Sequence, residues 1–239
     1  MSKFVIEKSF WDIFPDAQIG VILAKGIDNT EEGTVIVRPD IIGLLEQSHR
    51  EAKKFLNEEV LSENKVISVW REAYRKFKTK KGARSSIEAL LKRVENGRGI
   101  SSINPLVDIY NSVSLQYGLP CGGEDLDTFQ GNLQLTVTQG NDLFLALGDE
   151  EYDHTLPGEI CYLDEMGAVC RCLNWRDGQR TMLTESTKNA FLVMESVDPK
   201  RSEHLREALD MLAIWTQKYL GGTTNIEILN RNNVEIGLD

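Results

Sequence analysis

The segment "INPLVDIYNSVSLQYGLPCGGEDLD", residues 103–127, constrains the fold more than any other part of the chain. Asn104 suits an N-cap, because its side-chain oxygen can accept from a helix N–H, and Pro105 suits the first helical position, where an N–H would go unpaired. Leu106, Val107, Tyr110, Val113, Ser114 and Tyr117 recur by threes and fours as an inward stripe, with Asp108, Asn111 and Leu115 on an adjoining face. Gly118 is placed to end the helix in the left-handed conformation, and Pro120 prevents its resumption. The glycine pair Gly122-Gly123 then permits a ligand to approach the backbone closely, and Glu124, Asp125 and Asp127 follow within four residues.

On either side of this helix the periodicity differs. Before it, Ile19, Val21 and Leu23 alternate as a strand near Gln18 to Ala24, "TVIV" reads as a second extended piece ending at Pro39, and three helices follow. These are a long one from Asp40 through "IIGLLEQSHREAKKFLNEEV", one over "VISVWREAYRKF", and one over "SSIEALLKRVENG" with Ser85 or Ser86 as cap and Gly97 as stop. After it, "NLQLTVT" and "LFLALG" read as strands, "EICYLDEMGAVCRCLNW" as a hairpin turning at Asp164 to Gly167, and "NAFLVMES" as a central strand. Asp198-Pro199 opens a final helix carrying Leu205, Leu209, Leu212 and Trp215, Gly221-Gly222 stops it, and a last strand lies near "NIEIL". With no repeat or linker between these parts, residues 1–239 read as one α/β (α+β) domain, helices packed on a mostly antiparallel mixed sheet. The first 100 residues form its helical, basic part.

The totals exclude several function classes. No apolar run approaches the roughly 18 to 20 residues of a membrane span, and "MSKFVIEKSF" has no secretory leader pattern, so a cytoplasmic protein is expected. Four cysteines occur without a Cys-x-x-Cys spacing, and three scattered histidines offer neither a zinc hydrolase pattern nor a serine triad. The net charge of −10 argues against a polyanionic partner, but its distribution argues otherwise. Residues 50–98 hold 14 Lys/Arg against seven Glu, and "REAYRKFKTKKGAR" interleaves Tyr74 and Phe77 with Arg71, Arg75, Lys76, Lys78, Lys80, Lys81 and Arg84. Such a stretch is either a phosphate-contacting surface or a solvated helix face and loop.

Candidate chemistry is sparse. Glu124, Asp125 and Asp127 are close enough to bind a divalent cation, yet no calcium-loop pattern surrounds them, and acid-capped turns explain them as well. Glu159, Asp164 and Glu165 read as surface acids near turns. Glu195 closes an apolar run, where alternation aims it either at solvent or inward, and inward it needs a partner or a role. "LNWRDGQRTMLTEST" gathers Asn174, Arg176, Asp177, Gln179, Arg180 and Thr181 in a loop between strands, the usual location of ligand contacts.

The motif N-x-x-V-D-x-x-N-x-V-x-x-x-x-G-x-P-x-x-x-x-D-x-D, with "WRDGQRT", "TEST" and "FLVMES" after it, resembles the B3/B4 domain of bacterial phenylalanyl-tRNA synthetase beta subunits. It resembles more closely the freestanding B3/4-domain proteins, over residues 103–196 in particular. In the synthetase that domain hydrolyses tyrosine wrongly esterified to tRNA, a second sieve after the synthetic site. The resemblance implies tRNA, aminoacylated, as partner, no cofactor, no metal and no membrane. It implies catalysis by Asn111 with the backbone N–H groups of Gly122 and Gly123, a substrate pocket with Tyr110, Asn174, Arg176 and Glu195, and RNA contacts from the basic stretch. Glu195 falls on the glutamate that recognises the tyrosine hydroxyl. Three positions depart from the pattern: Tyr110 stands for a threonine, Gly122 for a histidine and Asn174 for a pocket glycine, so the resemblance implies either a different aminoacyl group or no editing. The expected function is a tRNA-binding protein deacylating mischarged tRNA in trans. The alternatives are a non-catalytic RNA-binding module and, more remotely, a small-molecule binder or metal-dependent hydrolase built on Glu124, Asp125 and Asp127.

Overall fold

The computed structural model describes residues 2–239. The chain opens with β1 (Lys3–Ile6), α1 (Lys8–Ile13), β2 (Gln18–Lys25), the single turn α2 (Glu31–Thr34) and α3 (Arg38–Glu51). Helices α4 (Lys65–Ala73), α5 (Ser86–Glu95) and α6 (Pro105–Tyr117) follow. Strands β3 (Cys121–Asp125), β4 (Leu133–Val137), β5 (Leu143–Phe144), β6 (Asp153–His154), β7 (Ile160–Asp164), β8 (Gly167–Arg171), β9 (Arg176–Asp177) and β10 (Asn189–Ser196) come next. The chain closes with α7 (Ser202–Leu220), β11 (Thr223–Leu229) and β12 (Glu235–Gly237).

The expected mostly antiparallel, mixed arrangement is present, divided between two main sheets. One has the order β11-β2-β10-β3 and is antiparallel throughout; the other has the order β12-β1-β4-β7-β8-β9, with β1 and β4 its parallel pair. β5 and β6 form a separate two-stranded ribbon. Strand β10 shows why the layers stack as they do. Its side chains alternate: Ala190, Leu192 and Met194 pack with Leu106, Val113, Leu205, Leu209 and Leu212 of α6 and α7, while Phe191 and Val193 pack with Phe4, Leu133 and Tyr162 of the facing sheet. The period of two carries Glu195 to the same inter-sheet side as Phe191 and Val193, and the residue is 1% exposed.

Helix α6 forms as its termini dictate. Asn104 Oδ1 accepts from the Val107 N–H at 3.0 Å, and Gly118 adopts φ 61°, ψ 40° so that its N–H closes on the Ser114 carbonyl at 2.8 Å. Pro105, Leu106, Val107, Ile109, Val113 and Leu115 are all buried, because α6 lies between α3 and α7 over the four-stranded sheet.

Four expectations require correction. "TVIV" is not extended: Thr30 caps α2 by accepting from the Gly33 N–H at 3.0 Å, and the chain passes by a helical turn into α3 with Pro39 in its first turn. The long helix from Asp40 ends at Glu51 in a tighter turn over Ala52–Phe55, and α4 ends at Ala73 before Phe77. "CGGED", for which the sequence suggests only turn chemistry, forms the edge strand β3, held by five-residue pairing with β10, and the acid-capped turn begins at its end, where Asp125 Oδ1 accepts from the Asp127 N–H at 3.1 Å. Glu159 and Asp164 are not surface acids, since their side chains are 0% exposed and paired with Arg171 and Arg180.

An acid-lined cavity beside an arginine basin, the candidate functional site

A cavity opens between the two sheets where β3 forms the edge. Its walls come from β3 (Gly122, Gly123, Glu124), β10 (Phe191, Val193, Glu195), β7 and β8 (Tyr162, Val169, Cys170), and the corner after β8 (Leu173, Asn174, Trp175, Asp177). Alternation again decides what points inward. Cys121 and Gly123 lie on the helix side of β3, so Gly122 and Glu124 face the space between the sheets, beside Val193 and Phe191 respectively.

The corner holding Asn174 is built at some cost. Cys172 and Leu173 sit at φ 49° and 65°, a region that non-glycine residues enter at roughly 1–2 kcal/mol each. The turn is fixed by the Leu173 N–H donating to the Ile160 carbonyl at 2.7 Å. It lays Asn174 over Glu195: Asn174 Nδ2 donates to Glu195 Oε2 at 3.2 Å, and Tyr162 Oη donates to Glu195 Oε1 at 2.8 Å. Asn174 Oδ1 in turn accepts from the Ser86 N–H at 3.3 Å and lies 3.2 Å from Tyr74 Oη, which donates to the Cys172 carbonyl at 2.7 Å. Burial raises the Glu195 carboxyl to about 7, against the lowering effect of those two donors.

Two further carboxylates share the walls. Glu124 is 4% exposed, and burial, reinforced by the Asp177 charge, pushes it well above the ordinary carboxylate range while the nearby Thr181 hydroxyl opposes that rise. Burial also raises Asp177, with the Cys170 thiol beside it acting in the opposite direction. No Lys or Arg lines the cavity among the described residues. All four cysteines are free and buried, and burial holds each thiol above its ordinary value, which leaves no thiolate nucleophile at neutral pH.

The wall formed by Ser86 and Asn174 separates this cavity from an open basin lined by Trp70, Arg71, Tyr74, Arg75, Arg84 and Glu88. Arg71 is tied to Glu88 at 2.7 Å and Arg75 lies 3.8 Å from Glu72, whereas Arg84 has no carboxylate within 4.0 Å among the described residues. On the opposite side, a groove lined by Tyr110, Leu147, Met182 and Leu183 shares Gly123 and Asp177 with the cavity. The open edge of β3 borders this groove. The Asp125 N–H reaches outward to the Thr181 carbonyl at 2.7 Å, so the antiparallel alternation directs the Gly123 N–H outward as well.

The expected site residues therefore separate into groups. Gly122, Gly123, Asn174 and Glu195 line one cavity, and Tyr110 packs behind Gly123, its Cε1 3.4 Å from where a Cβ there would stand. Asn111 is half-buried on α6 and is not among the cavity's lining residues. Arg176 points away, pairing with Asp149 at 3.1 Å. Arg71, Arg75 and Arg84 line the basin, while Lys80 pairs with Asp153, Lys76 lies over the Phe14 ring, and Lys78 and Lys81 are exposed outside the basin. The acid run disperses: Asp125 accepts from Thr187 and Asp127 from Asn189, leaving Glu124 alone in the cavity. Among the described residues no group of three or more His, Cys, Asp and Glu is placed to hold a metal ion. Tyr162 is the cavity residue that sequence reasoning misses, and Asp177 stands out there only as one member of a polar loop; the signal for both is period-two placement on the strands flanking that loop.

Two sheets backed by helices, with a polar cavity at a sheet edge and a cationic basin beside it, define an α+β domain with a candidate ligand site. The chain belongs to the B3/4 domain family, whose profile matches residues 69–213. It is 28% identical over 137 residues to the phenylalanine–tRNA ligase beta subunit of Fusobacterium nucleatum, covering 57% of this chain and 16% of that subunit. It is 34% identical over 94 residues to the same subunit of Idiomarina loihiensis, covering 39% of this chain and 12% of the relative. The match thus spans less than a fifth of these relatives. An N-terminal fragment of the Pyrococcus horikoshii phenylalanyl-tRNA synthetase beta subunit superposes with a TM-score of 0.49 at 12% identity, over 92% of this chain and 49% of that one. Among the described residues no helix is long and apolar enough to cross a membrane.

Proposed function

We infer that this protein binds aminoacylated tRNA and hydrolyses the aminoacyl ester of mischarged molecules in trans. The observation that carries this reading is the shared wall: Asn174 and Ser86 form the side of a cavity of amino-acid chemistry, and Tyr74 and the α5 start, on the same hydrogen-bond network, form the side of an arginine basin. The basin fits the phosphates of a 3′ end, with Arg84 as the cation free to pair. The aminoacyl group enters the cavity from the groove along the open edge of β3, where its ester carbonyl accepts from the outward Gly123 N–H, which stabilises the oxyanion formed when water attacks. The basin across the Ser86–Asn174 wall receives phosphates farther from the ester. A neighbouring ribose hydroxyl can assist the proton transfer. Asn111 and Arg176 take no part in this arrangement, which narrows the chemistry to backbone and carboxylate groups.

A panel of mischarged tRNAs tests it. Release of an amino acid from at least one of them above the buffer rate, lowered more than tenfold by Asn174→Ala, is expected. Salt-dependent tRNA binding without any release would instead support the non-catalytic RNA-binding reading, which Gly122 favours by placing no side chain at its own position on the cavity wall.

A further inference from the structure

Unpaired carboxylates in a buried cavity are costly, and a fold retains them where something else supplies the partner. Of the three acids in this cavity, Glu195 has both oxygens engaged by Tyr162 and Asn174. Glu124 is different. It is more than nine-tenths buried and its Oε2 has no hydrogen-bond partner; the buried Thr181 hydroxyl nearby meets no hydrogen-bond geometry either, and its lowering effect on Glu124 is smaller than the opposing effects of burial and the Asp177 charge. Asp177 faces it across the glycine pair, with its Oδ1 4.0 Å from where a Gly122 Cβ would stand, and it reaches both the cavity and the outer groove.

We propose that Glu124 and Asp177 together bind a primary ammonium group, so that the cavity accepts ligands with a free amine and a blocked carboxyl. This rests on the reading of the cavity as the aminoacyl site, and it specifies the substrate as an unblocked aminoacyl ester. An ammonium presents three donors on a compact centre, two of which Glu124 Oε2 and an Asp177 carboxylate oxygen can accept. The rings of Trp175, Tyr162 and Phe191 complete the walls, and no Lys or Arg stands among the lining residues to attract an anion. Ionised by the ammonium they hold, the same acids repel a free carboxylate. An ester or amide of an amino acid is therefore held, and the free amino acid that hydrolysis leaves is expelled.

Small probes separate this claim from tRNA binding. L-Alaninamide and L-tyrosinamide, their N-acetyl derivatives and the free amino acids are titrated into the full chain by calorimetry. Binding of at least one amide, weakened tenfold or more by N-acetylation and by a free carboxylate, is expected. Glu124→Gln and Asp177→Asn should each weaken that amide tenfold while leaving the N-acetyl form unchanged. Should Glu124→Gln fail to fold, Asp177→Asn, on the half-buried β9, carries the test. Equal binding of amides and N-acetyl amides, indifference to both substitutions, or no probe binding while tRNA still binds would each overturn the ammonium site. Amide binding in a protein that binds no tRNA would uphold the ammonium site and overturn the tRNA reading.

Discussion

Two sets of buried or half-buried carboxylates in this protein are treated in opposite ways, while Asp125, held by the Thr187 hydroxyl and the Asp127 N–H, belongs to neither. Glu159, Asp108, Asp164 and Glu88 each meet an arginine: Glu159 receives Arg171 at 2.8 Å with both side chains at 1% exposure or less, and the others meet Arg38, Arg180 and Arg71 at 2.9, 2.6 and 2.7 Å. Glu124, Asp177 and Glu195 meet none among the described residues. The first set ties the chain to itself across turns and between elements; the second lies in one cavity. Charge neutralised internally marks scaffold, and in the cavity set the proposed ligand supplies the counter-ion the fold withholds.

Breaking a scaffold pair should therefore have the largest effect on stability. Arg171→Met leaves Glu159 buried without its partner and is expected to cost about 3–5 kcal/mol in urea unfolding. Adding Glu159→Gln should recover much of that loss. If Arg171→Met costs no more than a surface substitution, the division between the two sets fails.

The cavity set should behave in the opposite sense, as pH shows. Glu195 is held at about 7 in the fold against an ordinary 4.5, so the native state binds its proton more tightly than the unfolded chain does. That contribution is present below about 4.5 and is lost as pH rises to about 7, a decline on the order of 3 kcal/mol. Glu195→Gln removes this slope. Unfolding midpoints from pH 4 to 8 should fall more steeply for the wild type than for the variant, with the variant the more stable at pH 8. A variant less stable at every pH would mean that Glu195 belongs with the scaffold acids.

The distinction is only partly legible in the sequence. Helix α6 is legible because its cap, proline and stop are local, and Asn104, Pro105 and Gly118 act as their chemistry requires. β3 is not, because the two glycines of "CGGED" have no strand preference and only pairing with β10, some 70 residues away, makes them one. "TVIV" misleads in the opposite direction, since local capping by Thr30 overrides its β-branched preference. Glu195 stands out at the end of its apolar run, yet alternation gives two faces, and only the packing of Phe191 and Val193 against the second sheet settles which is inside. Glu159 and Asp164 read as surface acids because their arginines lie 12 and 16 residues away across turns.

The glycine pair sharpens the comparison on a smaller scale. A Cβ at Gly123 would stand 2.7 Å from Leu183 Cδ1 and 2.8 Å from Leu192 Cδ2, on the helix side, where the buried leucines have little room to move. Gly123→Ala is expected to cost about 1–3 kcal/mol. At Gly122 the nearest atoms are Val193 Cγ1 at 3.8 Å and Asp177 Oδ1 at 4.0 Å, inside the cavity. Gly122→Ala should leave stability within about 0.5 kcal/mol and act only on ligand binding. Equal thermal shifts for the two would place both glycines in the scaffold.

The smallest effect on stability tests the cationic counterpart of the same division. Arg71 is scaffold by its bond to buried Glu88, whereas Arg84, on the same basin, has no carboxylate in reach among the described residues. Arg84→Ala should leave the unfolding free energy within about 0.5 kcal/mol. On the proposed function its effect falls on tRNA affinity, where a cation removed from one phosphate lowers the slope of log affinity against log salt by about one. Arg71→Ala should show the reverse weighting, a stability loss from the stranded Glu88 larger than its change in salt slope. If the two arginines exchange these behaviours, the unpaired charges are accidents of the surface, and the basin loses its claim to the nucleic acid.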